Sequence, residues 1–172
     1  MAESGRNPLD EELRQLRQIL EPMVQQFVQL QDLFRQEQEK LRQRDTDALD
    51  ALAAQIAEKL ARIRAIDQLR QRVTAQMGRR LGLKTDTVTL EAIDTAMGGN
   101  TGLQGLRNQL RESIQEADRL NRENQAVLTG VLAATESILS ALQGGPVGGS
   151  SSYNRLGSRQ NNPRFNLLSR QL

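Results

Sequence analysis

Apolar residues recur at alternating spacings of four and three through the first forty positions of the chain. The series runs Leu9, Leu13, Leu16, Leu20, Met23, Phe27, Leu30 and Phe34, and it resumes at Leu41. This heptad spacing predicts one long helix with a continuous apolar seam. Asn7 suits the N-cap, and Pro8 suits the first helical position, where a missing N–H costs nothing. Pro22 removes one backbone hydrogen bond but leaves the phase of the seam intact, so we expect a kink near residues 18 to 22 within a single helix.

A second apolar series follows the polar segment at residues 44–47. It consists of Leu49, Leu52, Ile56, Leu60, Ile63, Ile66, Val73 and Met77. A turn this short between two long helices predicts an antiparallel hairpin, because a few residues connect only adjacent ends. The second helix is expected to end near Gly82, after two arginines that complement the helix dipole. Thr89 then suits the cap of a short helix over residues 90–97, which Gly98 and Gly99 end.

The last long helix is expected to open at Asn100 or Thr101, and its apolar stripe changes character along its length. Up to Asn124 the stripe is narrow: Leu103, Leu106, Leu110, Ile114, Ala117 and Leu120. Beyond that point it widens, through Val127, Leu128, Val131, Leu132, Ile138, Leu139 and Leu142. An arc this broad is typical either of a helix enclosed in a bundle core or of a surface that receives a partner helix. Periodicity by itself favours the enclosed core.

The helix pattern ends at Gly144-Gly145-Pro146, and the composition changes after it. The following residues are mainly Gly, Ser, Asn, Gln and Arg, which cannot bury enough apolar area to offset the entropy of ordering. We therefore expect an all-α, antiparallel bundle of three long helices and one short helix. Its predicted parts are an N-terminal arm (1–8), a helical bundle domain (9–143) and a disordered C-terminal tail (144–172).

Composition excludes most enzyme chemistry. The 172 residues include no Cys and no His, so there are no thiolate nucleophiles, imidazole bases or usual zinc ligands. We expect no catalytic activity, no cofactor and no metal. No window approaches the roughly 20 apolar residues of a membrane span, and the first eight residues do not resemble a secretory signal. We therefore expect a cytoplasmic protein without membrane insertion.

Two local motifs have a possible binding function and a simpler structural explanation. Asp45, Asp47 and Asp50 resemble a calcium loop, but that loop needs a Gly where Asp50 lies and a Glu where Ile56 lies. Helix capping is the better interpretation. The glycine-rich segment at residues 98–102 precedes a helix, as phosphate-binding loops do, but no Lys-Ser/Thr pair follows it and no apolar strand precedes it. An ordinary helix break accounts for this segment.

Charge is divided unevenly along the chain. The net charge is +2, but all 21 acidic residues precede residue 137, whereas four Arg follow residue 143. The part before the tail holds 19 cations against 21 anions, so its surface is not basic. Aromatic residues make up 2% of the chain, too few for a base-stacking set. We expect no nucleic acid among the partners.

Several polar and aromatic positions allow two interpretations each. Asn121 and Asn124 lie at or near the seam of the last helix, where they either fix the register between helices or contact a partner. Tyr153 and Phe165 are isolated in a polar stretch and suit either docking anchors or parts of a spacer. Asn162 and Pro163 are positioned to cap a short amphipathic helix that would form on contact with a surface.

The order of these parts resembles the FlgN family of flagellar export chaperones. The matching elements are the long Leu seam, Arg44-Asp45 with Ala48-Leu49 and Leu52, Leu81-Gly82-Leu83, Thr89-Leu90, Leu120-Asn121-Arg122-Glu123-Asn124 with Val127-Leu128, and the tail segment Ser152-Tyr153-Asn154-Arg155-Leu156-Gly157. The resemblance covers about residues 9 to 160. The Asn-x-x-Asn segment and the tail Tyr are its most specific parts.

The resemblance implies a function in bacterial flagellum biogenesis by type III export. Such a chaperone holds the C-terminal helices of hook-associated junction proteins and brings them to the cytoplasmic domain of the export gate. Substrate-protein binding falls on residues near the end of the last helix, and export-gate docking falls on Tyr153. The first set comprises Val127, Val131, Leu132, Ile138, Leu139 and Leu142. The resemblance thus favours the partner surface over the enclosed core.

Two other functions fit the sequence. A coiled-coil protein that self-assembles through its seams needs no cargo, and an Arg-rich tail suits binding to nucleic acid or an anionic surface. A chaperone is expected to be a small monomer or homodimer, whereas a scaffold grows with concentration. Binding through the tail charges would fall steeply with salt.

Overall fold

A computed structural model describes residues 7–84 and 88–142 of the chain. Over these residues it contains four helices: α1 (Pro8–Gln43), α2 (Thr46–Arg80), α3 (Leu90–Ala96) and α4 (Leu103–Leu142). The predicted fold class, an all-α bundle of three long helices and one short helix, is confirmed. Residues 1–6 of the predicted N-terminal arm and the whole predicted tail lie outside the described residues.

The first helix begins as its sequence predicts. The side chain of Asn7 accepts a hydrogen bond from the backbone N–H of Leu9 at 3.2 Å, and Pro8 is the first helical residue. The helix then continues through Pro22 without a break. It ends at Arg44, whose φ of 58° is left-handed and whose N–H donates to the carbonyl groups of Leu41 and Lys40.

The turn between α1 and α2 is stabilised by Asp45. Its carboxylate accepts the N–H of Ala48 at 3.1 Å, which makes it the N-cap of α2, and it also lies 3.3 Å from Nζ of Lys40. The backbone hydrogen bond, followed by the Lys40 contact, lowers the pKa of Asp45. The capping interpretation is thus correct, and among the described residues no cluster of acidic side chains is placed to hold a metal ion.

The core is centred on α1, which packs against both other long helices. The central part of its seam is fully enclosed: Leu16, Leu20, Met23, Phe27 and Leu30 are all 0% exposed. Helix α2 runs antiparallel to α1, because Lys59 near its middle contacts Gln29 and Arg80 at its end pairs with Glu12. The hairpin is therefore as predicted. Long aliphatic side chains from the three helices make up most of the core, in keeping with the aromatic-poor composition.

The segment around α3 carries the chain back, so that α4 runs in the same direction as α1. Thr89 caps α3 by accepting the N–H of Ala92 at 3.1 Å, as predicted, and Leu90 and Ile93 are fully buried. The backbone N–H of Thr101 donates to Asp94 at 3.1 Å. This N–H is therefore already paired with a carboxylate of the protein itself and is not free to bind a phosphate. The glycine-rich segment connects two helices, in agreement with the interpretation of it as an ordinary helix break.

Gly78 allows α2 to approach the segment that precedes α3. A Cβ built on Gly78 would lie 2.6 Å and 2.7 Å from the two γ-methyl carbons of Val88, well inside normal contact distance. The contact is therefore tight enough to exclude any side chain larger than hydrogen unless Val88 moves.

We expect Gly78→Ala to destabilise the fold by up to about 2 kcal/mol, because overpacking costs about 1–3 kcal/mol, from which the helix-propensity gain of about 1 kcal/mol is subtracted. In a Val88→Ala background the two γ-methyl carbons are gone, so the same substitution should be neutral or stabilising. Chemical denaturation of the parent chain, the two single variants and the double variant measures whether the effect of Gly78→Ala on the free energy of unfolding changes sign. Equal destabilisation in both backgrounds would contradict the steric explanation.

Candidate partner-binding surface

The register of α4 against α1 is set by polar contacts between them. Nε2 of Gln31 donates to the carbonyl oxygen of Ser113 at 3.0 Å, and seven residues further along α1 Nε2 of Gln38 donates to Glu123 at 3.3 Å. Residue numbers rise together in the two helices, so the helices are parallel. Gln43, the last residue of α1, consequently lies at about the level of residue 128 in α4.

A surface network of charges accompanies this register. Arg35 of α1 lies 3.5 Å from Glu116, which pairs with Arg119 at 2.8 Å, and Arg119 also pairs with Glu123. The hydrogen bond from Arg119 is the main cause of the lowered pKa of Glu116, and the same contact raises the pKa of Arg119. The residues are largely exposed, so the network adds little stability, but it favours one alignment of the helices.

Among the α4 side chains that the structure describes, Asn124 is the last buried one. It is 1% exposed, and its Nδ2 donates to the carbonyl oxygen of Phe34 at 2.8 Å and to the carboxylate of Glu37 at 2.7 Å. Its Oδ1 is buried without a hydrogen-bond partner among the described residues. Two acceptors facing Nδ2 fix the orientation of the amide. Of the two interpretations, the fixing of register therefore applies to Asn124, whereas Asn121 is half-buried and accepts a hydrogen bond from Gln125 within its own helix.

Helix α4 continues beyond Asn124 as an exposed segment, which we call the α4 arm (residues 125–142). Every side chain from 125 to 140 is exposed. The exposed fractions of its large apolar side chains are Val127 45%, Leu128 37%, Val131 56%, Leu132 64%, Ile138 61% and Leu139 50%. Leu142 ends the helix, and its side chain lies outside the described residues. The described helices therefore leave the predicted apolar strip uncovered. The interpretation of this strip as part of an enclosed core is wrong as far as the described residues are concerned.

The apolar stripe of the α4 arm lies on the same face as the buried seam of α4. Leu110, Ile114, Ala117 and Leu120 are buried in the bundle, and the spacing of four and three continues without a phase change through Val127, Val131 and Ile138. The stripe thus faces the side on which α1 lies, beyond the point where α1 ends. A helix covering it would continue the line of α1 past the turn at Arg44 and Asp45.

The length of the arm follows from the offset between the two parallel helices. Because α4 reaches the end of α1 near residue 128, its last 14 residues extend about 21 Å past α1 at a rise of about 1.5 Å per residue. No other described helix reaches along this part of α4, because α2 begins at the same turn and runs the opposite way. The side chains of residues 131–140 are accordingly exposed on every face.

The composition of the α4 arm is unusual for a solvent-exposed helix. Glu136 is the only ionisable residue among its 18 residues, and Val127, Thr129, Gly130, Val131, Thr135 and Ser137 are all weak helix formers. A free helix in water is normally supported by charged pairs and strong helix formers. The sequence of the arm is therefore better suited to a partner than to solvent.

Sequence reasoning found the strip but not the arm. No local signal gives the arm: α1 and α4 are similar in length, 36 and 40 residues, and the overhang arises because the register places the end of α1 near residue 128 of α4. Other exposed apolar side chains, such as Val28 and Leu69, lie singly in the bundle and need no functional explanation. Tyr153, the predicted export-gate contact, lies outside the described residues.

We expect Asn124→Asp to destabilise the bundle by about 3 kcal/mol at pH 7, because it buries a carboxylate against the Phe34 carbonyl and Glu37. The loss should shrink towards pH 4, where this carboxyl group is protonated and again donates a hydrogen bond. Asn121→Asp, in a half-exposed position, serves as the control and should change stability little. Thermal unfolding at the two pH values measures both effects, and a pH-independent loss would contradict this account.

The geometry of the bundle can be set beside known proteins. The family model described as FlgN protein matches residues 7–161, which include all four helices and 19 residues beyond α4. A comparison with curated proteins finds no significant match to this chain, and a comparison with solved structures finds none either. Within the described residues, no helix combines the length and the apolar content that crossing a membrane requires. Since the family model spans most of the sequence, the chain belongs to the FlgN family, a family of flagellar export chaperones and not of enzymes.

Proposed function

We propose that this chaperone acts in the cytoplasm, where it holds the C-terminal helices of hook-associated junction proteins on the α4 arm and presents them to the flagellar export gate. One observation supports the arm as the cargo site: its apolar stripe is exposed, although it continues the buried seam of the same helix. Val127, Val131, Leu132, Ile138, Leu139 and Leu142 are the proposed contacts.

Binding would use the same interaction that holds the bundle together. A guest helix with apolar residues at positions i, i+3, i+4 and i+7 would pack against the arm as α1 packs against the body of α4. Each 100 Å² of apolar surface removed from water contributes about 2.5 kcal/mol before the costs of association are subtracted. An arm of about 27 Å accepts roughly five turns of a guest helix.

The arm geometry also suits release. A single helix covers only one side of its guest, so the other side stays open to a second binding surface. In the proposal Tyr153 contacts the export gate while the arm still holds cargo. Only ten residues separate Tyr153 from the end of α4, so one docking event places the cargo near the gate at a high effective concentration.

A second candidate function draws on the same exposed stripe. Two arms packed against each other would cover both stripes, and repeated pairing would give a self-assembling coiled-coil protein without cargo. Light scattering separates the two functions. A chaperone stays a monomer or homodimer as its concentration rises, whereas an assembling scaffold grows.

We expect Ile138→Asp and Leu139→Asp each to weaken binding of hook-associated C-terminal peptides at least tenfold, because each places a charge within the apolar contact. Ser140→Asp adds the same charge to the opposite side of the same turn and is the matched control. Calorimetry with these peptides measures the affinities, and the thermal unfolding midpoint of all three variants should equal that of the parent chain. Normal peptide binding by the Ile138 and Leu139 variants would remove the arm from the cargo site.

For Tyr153→Ala we expect unchanged affinity for cargo peptides and impaired delivery, because the residue lies beyond the arm. Co-purification with the export-gate cytoplasmic domain and secretion of junction proteins by cells carrying the variant measure delivery. Tyr153→Phe keeps the ring and tests whether the hydroxyl group is required. A parallel loss of cargo affinity and delivery would contradict this division between arm and tail.

A further inference from the structure

The last 11 residues of the predicted tail, 162–172, repeat the signal that starts α1. Asn162 and Pro163 are in the same order as Asn7 and Pro8, and in the structure that pair forms the cap and first residue of α1. An Asn cap followed by a Pro at the first helical position favours a helix start wherever the next residues can follow. Residues 162–172 therefore carry a helix start of their own.

The residues that follow Pro163 are amphipathic at the helical period. Phe165, Leu168 and Leu172 are spaced by three and four, so they share one face of a helix, whereas Leu167 lies about 200° away from Phe165. This segment has three apolar anchors and no acidic residue. Its length of about three turns is too short for a stable free helix, so it needs a surface on which to form.

The nearest apolar surface along the chain is the α4 arm itself. The intervening residues 143–161 number 19, and nine of them are Gly or Ser. For a Gly/Ser-rich sequence of 19 residues, the expected root-mean-square end-to-end distance is about 22–26 Å. The arm is about 27 Å long and ends where this linker begins, so the segment reaches most of the apolar stripe without strain.

Charge complementarity points the same way. The tail carries four Arg and no acidic residue, whereas Glu136 is the only ionisable residue of the arm and Glu123 lies just before it. Arg164 borders the apolar face of the segment and can approach these carboxylates when that face is buried, whereas Arg170 lies on the opposite face with Leu167. The resulting attraction is modest and salt-dependent, and the apolar contact would supply most of the binding.

We propose that residues 162–172 fold back as a short helix on the apolar face of the α4 arm and occupy it until cargo displaces them. The proposal rests on the proposed function in one respect: the competition matters only if cargo binds the same face. The docked segment shields the apolar stripe of the free chaperone, and it raises the threshold that a guest helix must exceed.

The size of the effect follows from competition within one molecule. If the segment binds the open arm in trans with dissociation constant K, the apparent cargo affinity falls by a factor of one plus the effective concentration divided by K. Linkers of this kind give effective concentrations of about 1 mM. A trans constant of about 0.1 mM would therefore weaken cargo binding about tenfold.

Adjacent leucines provide the test within the full chain. Leu168→Asp should release the segment, raise the fluorescence of an apolar dye bound to the arm, speed amide hydrogen exchange at residues 127–140 and tighten cargo-peptide binding about tenfold. Leu167→Asp adds the same charge to the opposite face and should change none of these. Equal effects of the two variants, or no effect of Leu168→Asp on the dye and exchange, would overturn the proposal. If the protection of residues 127–140 from hydrogen exchange rose with protein concentration, the proposal would also be overturned, because a second copy of the chain would then cover the arm.

A trans experiment separates this proposal from the cargo function. A peptide of residues 162–172 should bind the full-length Leu168→Asp chain, whose own segment is disabled. A further Leu132→Asp change in the arm should abolish that binding, and the neighbouring Ala133→Asp should not. Peptide binding without any cargo binding would disprove the cargo site and leave the fold-back intact. Cargo binding without peptide binding would disprove the fold-back and leave the cargo site intact.

Discussion

The register between α1 and α4 is the constraint on which the rest of the molecule depends. Gln31, Gln38 and Asn124 align two parallel helices so that the third long helix outlasts the first. A shift of one turn towards the bundle would bury part of the arm, and a shift the other way would expose the core. The buried contacts of Gln31 and Asn124 resist such slips more strongly than aliphatic packing does, because an unpaired buried amide or carbonyl group costs free energy that a displaced Leu does not.

Most of the fold follows from short-range signals in the sequence. The alternating spacing of Leu16, Leu20, Met23, Phe27 and Leu30 identifies the buried face of α1, and all five are fully enclosed. Asn7, Asp45 and Thr89 cap the helices that they precede. These features are predictable because a helical seam and a cap each depend on residues within a few positions of one another.

The candidate surface was harder to predict, because periodicity shows which face of a helix is apolar but not which element covers it. Val131 and Leu120 belong to the same stripe, yet one is 56% exposed and the other 3%. The difference depends on where another helix ends, a property of the pairing between distant segments. The role of Asn124 was hard to predict for the same reason. The sequence shows a polar residue in the seam but not whether it hydrogen-bonds within its own bundle or to a guest helix.

Because the α4 arm lies beyond the end of α1, selection for folding and selection for partner binding act on different residues of this chain. Residues that maintain the bundle extend up to and include Asn124, and those that the proposed guest would meet lie after it. Substitutions at sites that share no packing partners act nearly independently on stability. The cargo preference of such a chaperone can therefore drift during evolution, residue by residue along one helix, without endangering the folding of the domain that carries it.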